Sequence, residues 1–178
     1  MEPNAHKAVL YGADNLTDVA PWLLAAAAIL ALVFFTPGLA LAQTDPFVGT
    51  WKLNAAKSKF APGTECKSET RIVESSPTGM KVSVDRTNTD NSNQQYNYTT
   101  TFDAKSHPIT GLAPYGADSI AATLGASNTL SFKLTKGGKP VGNGTSVVSA
   151  DGKTLTINSK GTDASGNTVG SVAVYDKQ

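Results

Sequence analysis

The residues after position 43 alternate between apolar and polar with a period of two, and this pattern constrains the fold more than any other feature. Residues 80–86 and 130–135 show it most clearly. A period of two is that of a β-strand with one buried face, because successive strand side chains point to opposite sides. Thr, Ser, Asn and Gly are abundant in this part of the chain, and no stretch carries an apolar stripe at helical spacing. The sequence therefore predicts an all-β domain.

Nine strand-like runs follow one another, and turn residues separate most of them. The runs cover residues 47–54, 67–75, 80–87, 96–102, 119–124, 130–135, 141–150, 154–160 and 168–176. Gly with Asp, Asn or Pro marks the connections, and Asp151-Gly152 is the strongest hairpin signal. Residues 103–118 form a long irregular stretch, and residues 55–60 have the composition for one turn of helix. The order predicts an antiparallel up-and-down β-barrel of about 8–10 strands, because closure removes exposed edges. A two-sheet β-sandwich is the alternative.

The front of the chain carries an export signal. Residues 22–35 are an unbroken apolar run, Pro37-Gly38 interrupts the pattern, and Ala40-Leu41-Ala42 has the small residues of a cleavage site. The pattern predicts a signal peptide over residues 1–42 and a single domain over residues 43–178, in the periplasm or secreted.

The residues before that apolar run depart from the usual signal-peptide pattern. They hold one lysine and three acidic residues, whereas a signal peptide begins with a positive segment. An uncleaved anchor through residues 22–42 is the alternative, since a spanning helix needs about 20 apolar residues. In either case, contact with a membrane is predicted only through this N-terminal segment.

Charge and cysteine content argue against a nucleic-acid-binding protein and against a fold held by an intramolecular disulfide. Residues 43–178 carry 14 basic and 11 acidic residues, and the lysines are scattered singly. Without a run of basic residues, no nucleic-acid partner is predicted. Cys66 is the single cysteine, so an intramolecular disulfide is impossible and the fold depends on its core.

Two short motifs carry a resemblance to a known family. The opening run, residues 45–54, reads DPFVGTWKLN, and the chain ends in VAVYDKQ. The Gly-x-Trp motif of Gly49 and Trp51 resembles the lipocalin and fatty-acid-binding-protein (calycin) superfamily. With the KSKF segment at residues 57–60, residues 45–178 look most similar to exported bacterial lipocalin-like proteins of unknown function. The resemblance implies a barrel in which Gly49 and Trp51 are structural residues at the closed end.

This chain departs from the fatty-acid-binding proteins at two places. No helical lid of convincing length follows the first strand, and Val174-Tyr175-Asp176 replaces the Arg-x-Tyr pattern of the last strand. The resemblance therefore does not imply fatty-acid binding.

Arg86 is the most unusual residue on a predicted inward face, because it continues the apolar series of residues 80–84. If Val84 pairs with Tyr98, Arg86 lies opposite Tyr96 on the same face. Arg86, Tyr96 and Tyr98 would then form a cluster able to hold a carboxylate or another anion. The alternative is that Arg86 ends its strand and extends its guanidinium to water.

Weaker candidates for ligand binding are Arg71, whose strand has an ambiguous inward face, and Tyr115 in the long irregular stretch. Tyr115, with Leu112 and Ile109, would either gate the barrel mouth or cover the core.

The sequence is poor in catalytic signals. Residues 43–178 hold one histidine, His107, and no nucleophile elbow, phosphate-binding glycine loop or clustered metal ligands. No catalytic residue, metal or cofactor is predicted. The predicted function is an exported, non-catalytic binding module for a small, hydrophobic or amphipathic ligand. The alternative is a structural or interaction protein of the cell envelope that binds no small molecule.

Overall fold

The computed structural model describes residues 45–126, 128–163 and 165–178; the predicted signal peptide or anchor lies outside them. The strands in these residues are β1 (Gly49–Leu53), β2 (Lys59–Phe60), β3 (Cys66–Ser76), β4 (Gly79–Asn88), β5 (Asn93–Thr100), β6 (His107–Gly111), β7 (Ser119–Leu124), β8 (Thr129–Lys136), β9 (Lys139–Val148), β10 (Thr154–Thr162) and β11 (Thr168–Lys177). The helical content of the described residues is two short 3₁₀ turns, Ala55–Lys57 and Pro114–Gly116.

The strands close into one antiparallel barrel. From β3 to β11 each strand pairs with the next in sequence, and β1 pairs with both β3 and β11. Ten strands form the closed wall, while β2 adds a short second pairing to β11. The prediction of an all-β up-and-down barrel is confirmed, and the β-sandwich alternative is wrong.

The apolar residues of the alternating sequence pattern lie in the core of the barrel, and the polar residues between them lie on its surface. Met80, Val82 and Val84 of β4 are buried, whereas Lys81 and Asp85 on the opposite face of the strand are exposed. The buried apolar core is Phe47, Trp51, Val73, Met80, Val82, Val84, Tyr96, Ala113, Ala117, Ile120, Ala122, Leu130, Leu134, Val148, Leu155, Ile157, Ala173 and Tyr175. Burial of each large apolar side chain contributes about 1.5–3 kcal/mol to the stability of the fold. The barrel therefore depends on this core for its stability, since a single cysteine cannot form an intramolecular disulfide.

Two predicted segments differ in the structure. The irregular stretch over residues 103–118 contains a strand, β6, with Ile109 half-buried between β5 and the loop that follows. The helical turn predicted over residues 55–60 is a 3₁₀ turn limited to Ala55–Lys57, and the short strand β2 follows it. The Asn54 side chain accepts a hydrogen bond from the Lys57 amide at 3.1 Å, which caps that turn.

The predicted register between β4 and β5 is wrong by two residues. Val84 lies opposite Tyr96, and Arg86 lies opposite Gln94. The turn over residues 89–92 sets this offset, and the Asn88 amide closes it by donating to the Ser92 carbonyl at 2.9 Å. Arg86 is therefore one step nearer than Tyr96 to the end of the barrel where the β4–β5, β6–β7, β8–β9 and β10–β11 connections lie. We call this end the mouth.

Trp51 and Gly49 lie towards the opposite end. Trp51 is 0% exposed, and its indole N–H donates to the Phe47 carbonyl at 2.8 Å. The ammonium of Lys177 lies 5.0 Å from the centre of the indole ring. At Gly49 an added Cβ would come 2.7 Å from Lys177 Cε, so the bare backbone lets this lysine cross the ring.

The wall of the barrel is uneven. Strands β3 and β4 pair along nearly their whole length, whereas β6 and β7 pair only as His107–Ile120 and Pro108–Ser119. The β6–β7 contact, which we call the seam, is reinforced by the Ile109 amide donating to the Asp118 carbonyl at 2.8 Å. Within residues 45–126, 128–163 and 165–178, no helix has the length and apolar character needed to cross a membrane.

Candidate functional site: the barrel cavity

The interior of the barrel is open rather than filled. A cavity of about 730 Å³ extends inward from the mouth. Ligand pockets in proteins span about 300–1,000 Å³, so this volume suits one small molecule. The apolar side chains that line it include Phe60, Ile109, Ile120, Leu130, Phe132, Leu134, Val141, Ile157 and Val169.

The cavity has a polar wall and an apolar wall. Strands β6, β7 and β8 contribute aliphatic and aromatic side chains to it. The polar wall comes from β3, β4 and β5, which contribute Glu69, Arg71, Arg86, Gln94, Tyr96 and Tyr98, while β9–β11 contribute both polar side chains (Ser146, Ser159, Ser171 and Tyr175) and apolar ones (Val141, Ile157, Val169 and Ala173). Since β3 and β8 are five strands apart in the closed ten-strand wall, the charged side chains of β3 and the apolar side chains of β8 face each other across the cavity.

Glu69 organises the polar wall. Its carboxylate oxygen Oε1 accepts hydrogen bonds from Arg71 Nε at 2.7 Å and from the Tyr175 hydroxyl at 2.8 Å. Arg71 then donates through Nη2 to the Tyr96 hydroxyl at 2.7 Å. The Glu69 side chain is only 4% exposed, so these bonds replace water around a buried charge, as such a charge requires.

Arg86 completes the charged group on the mouth side. Its Nη1 lies 3.7 Å from Glu69 Oε2, while Nε donates to Asn88 Oδ1 at 2.9 Å and Nη2 to the Thr64 carbonyl at 2.6 Å. The side chain is 15% exposed, and these contacts hold its guanidinium against the protein.

Burial fixes the protonation state of the tyrosines. Desolvation raises the pKa of Tyr96 and Tyr98, and the nearby Arg71 guanidinium only partly opposes the rise. Desolvation, and after it the Glu69 charge, also raise the pKa of Tyr175. All three phenols therefore keep their protons at neutral pH. Since Tyr96 accepts from Arg71, its own O–H remains able to donate to a molecule in the cavity.

Tyr115 reaches across the mouth from the β6–β7 loop. Its backbone has φ of 58°, which is unusual for a residue with a side chain. The ring lies against the backbone of Gly142 on β9 and Gly161 on β10, and the hydroxyl is 3.1 Å from Ser159 Oγ. The ring therefore forms part of the mouth itself, whereas Leu112 in the same loop is 64% exposed.

Gly161→Ala should displace the Tyr115 ring, because an added Cβ would lie 2.5 Å from two of its atoms. We expect a loss of about 1–3 kcal/mol in the free energy of unfolding, measured by urea denaturation. In a Tyr115→Ala background the same change should cost much less. Gly125→Ala, whose Cβ meets atoms no closer than 3.6 Å, is the matched control. Equal costs in both backgrounds would contradict the contact.

The structure brings Arg71, Arg86, Tyr96, Tyr98 and Tyr115 to one cavity. It groups them differently from the sequence-based prediction, because Arg71 rather than Arg86 bonds to Tyr96.

Glu69 and Tyr175, which hold this group together, were not predicted. A signal was available, since the Ser76–Gly79 turn fixes the β3–β4 register and places Glu69 opposite Arg86.

Other chemistry is sparse in the described part of the chain, where no three His, Cys, Asp or Glu side chains converge as metal ligands would. His107 Nε2 lies 3.1 Å from Thr101 Oγ1 and 3.2 Å from Asp103 Oδ1. The hydroxyl and the carboxylate thus meet the same ring nitrogen, so they do not form the nucleophile–base–carboxylate chain of a triad. Asp103 has its pKa lowered to about 2, chiefly by the Lys105 amide that donates to it.

No protein-family model matches the chain, and no curated protein matches it. Among solved structures, the zebrafish ileal bile acid-binding protein complexed with cholic acid is similar at 11% identity and a TM-score of 0.47, over 75% of this chain and 99% of that one. The siderocalin Ex-FABP, titled as having dual ligand specificities, is similar at 9% identity and a TM-score of 0.34, over 75% of this chain and 71% of that one. Neither identity is high enough to transfer a ligand to this chain.

Proposed function

We propose that the barrel is a non-catalytic binding module that holds one small, at least partly apolar ligand in its cavity. The observation that carries the proposal is the open interior of about 730 Å³ with an apolar wall formed by β6, β7 and β8. A solid core would fill this space, since protein interiors are normally packed as densely as organic crystals.

The polar wall gives the ligand a preferred orientation. Arg71, Arg86, Tyr96 and Tyr98 offer N–H and O–H donors to the cavity, so the polar group of the ligand is an acceptor such as a carboxylate. Tyr115 contacts the ligand at the mouth. The apolar part of the ligand packs on the opposite wall.

A matched pair of variants tests the proposal. Ser146 lines the cavity, whereas its neighbour Val147 points outwards and is 37% exposed. Ser146→Phe should fill the cavity and abolish binding of anilinonaphthalene sulfonate, a fluorescent amphipathic probe, while Val147→Phe leaves binding unchanged. Native mass spectrometry of the protein, purified gently from the expressing cells, would identify a bound ligand by its added mass.

The competing function is a structural or interaction protein of the envelope without a small ligand. A bare mass, together with probe binding that Ser146→Phe does not alter, would favour this alternative. In that case the probe binds an outer surface, and the cavity has no binding role.

Export is a separate part of the proposal. The apolar run, helix breaker and small-residue site of residues 22–42 support removal of the leader before Gln43, in an exported bacterial lipocalin-like protein of the periplasm or the medium. Sequencing the N-terminus of the accumulated protein should give Gln43 first. A full-length chain recovered with the membrane fraction would instead support the anchor.

A further inference from the structure

We propose that Glu69 sets the charge of the ligand: by neutralising one of two interior arginines, it selects a polar group with a single negative charge. This inference rests on the proposed function, since it concerns the ligand of the same cavity. It names a specificity-determining residue and a chemical class, a monoanion attached to an apolar body.

The interior of the cavity carries a net positive charge. The charged side chains of its lining that are largely shielded from solvent are Glu69, Arg71 and Arg86, at 4%, 13% and 15% exposed. Guanidinium groups stay protonated in proteins, and the Glu69 carboxylate accepts bonds from both Arg71 and Tyr175. The buried group therefore has one more positive than negative charge.

The other charged residues of the lining lie at the mouth. Glu65, Asp90 and Lys136 are exposed there, and Asp163 sits half-buried in the β10–β11 turn. The Asp163 carboxylate is occupied by hydrogen bonds from the amides of Ser165 and Asn167, at 2.9 and 2.8 Å. Solvent screens charges at the mouth, so the surplus inside remains.

The excess positive charge is available to a ligand at Arg86. Glu69 bonds closely to Arg71 at 2.7 Å but lies 3.7 Å from Arg86, which is too long for a hydrogen bond. Arg86 uses Nε and Nη2 on Asn88 and Thr64, and Nη1 makes no hydrogen bond within the described residues. Arg86 Nη1 thus presents unused donors, beside the free O–H of Tyr96, to an acceptor in the cavity.

The net charge of the cavity determines which ligand charge is favoured. A neutral ligand would displace water from a buried cation without replacing its charge, which is costly. A dianion would bring one charge more than the cavity balances. A carboxylate or sulfonate matches the surplus, and a hydrogen bond to a charged partner is about twice as strong as a neutral one.

The test uses three ligands with one alkyl chain: decanoate, decanol and decyl phosphate. Titration calorimetry of the wild-type protein at about pH 8, where an alkyl phosphate is a dianion, should show decanoate binding about tenfold or more tightly than either of the others. Glu69→Gln keeps an acceptor oxygen but raises the interior charge by one, so the preference should move about tenfold towards the phosphate. Arg86→Gln lowers the interior charge by one, so the preference should move towards the alcohol.

Two controls change the same charges on the outer faces of the same strands. Glu74 on β3 and Lys81 on β4 form an exposed ion pair at 3.4 Å, and Glu74→Gln and Lys81→Gln alter the total charge without altering the cavity. Both controls should keep the wild-type order of affinities. Circular dichroism confirms that each variant is folded, and Arg86→Gln alone decides the question if Glu69→Gln does not fold.

The outcomes separate the inference from the proposed function. If decanoate binds the wild type but the interior variants shift the order no more than the outer controls do, the inference is overturned and the binding module stands. If none of the three ligands binds the wild type, the proposed function fails, and the inference fails with it.

Discussion

Replacing Trp51 by alanine should lower the free energy of unfolding by about 3–5 kcal/mol, the range for large-to-small changes at buried aromatic positions. The indole is completely buried, and its N–H donates to the Phe47 carbonyl at 2.8 Å. The substitution removes this bond and leaves a void that neighbouring strands cannot close without breaking their pairing. Urea denaturation followed by circular dichroism measures the loss.

Two variants bracket this prediction. Trp51→Phe keeps most of the ring and loses the N–H donor, so we expect a clearly smaller loss. Leu112→Ala removes a side chain that is 64% exposed and should change stability very little. A loss at Trp51→Ala as small as that at Leu112→Ala would show that the indole does not anchor this end of the barrel.

Glu69→Ala should lower the free energy of unfolding by about as much as Trp51→Ala does. It leaves the Arg71 guanidinium, which is only 13% exposed, without its carboxylate partner. Removing one partner of a buried ion pair costs about 3–5 kcal/mol. The Tyr175 hydroxyl loses its acceptor as well. Denaturant unfolding measures the loss, and Glu69→Gln should lose less because its amide oxygen still accepts from Arg71 and Tyr175.

The control for Glu69→Ala is Glu74→Ala, on the same strand but in an exposed ion pair with Lys81. Its effect should be close to zero, as for most surface pairs. Combining Glu69→Leu with Arg71→Met should cost far less than the sum of the two single changes, since both charges then leave together. Additive losses would contradict the coupling between these two side chains.

Most of the barrel was predictable because its strands obey the simple rule of one apolar and one polar face. Strand β7 begins and ends at the predicted residues, Ser119 and Leu124, although its residues are small. Leu155 and Ile157 of β10 are buried as their alternation requires. The turn residues between runs then fixed the order of the strands, and antiparallel order in a long sheet leads to closure.

The inward face of strand β3 could not be predicted from hydrophobic alternation, because charged side chains occupy that face and an isoleucine lies on the outer one. Ile72 points outwards and is 45% exposed, whereas Arg71 directly before it and Glu69 two residues before Arg71 face the cavity. Hydrophobic patterning assigns charged residues to the surface, so it fails where charges compensate one another inside. Only the pairing register reveals that the two arginines share one carboxylate.

Strand β6 was missed for a different reason. It contains Pro108 and ends in Gly111, two residues that are depleted in strands, and one large aliphatic side chain, Ile109. A pattern needs several repeats to be recognised, and this strand is too short to supply them. Its place in the wall follows from the closure of the barrel rather than from its own residues.

The seam has a consequence for how the barrel opens. Regions joined by few backbone pairs exchange and unfold locally at a small fraction of the global unfolding free energy. Since β6 meets β7 at two residue pairs, while Trp51 anchors a distant part of the wall, local opening at the seam need not pass through global unfolding. For the ligand proposed above, residence time in the cavity and resistance to heat would then depend on different strands, so that a substitution can change one without changing the other.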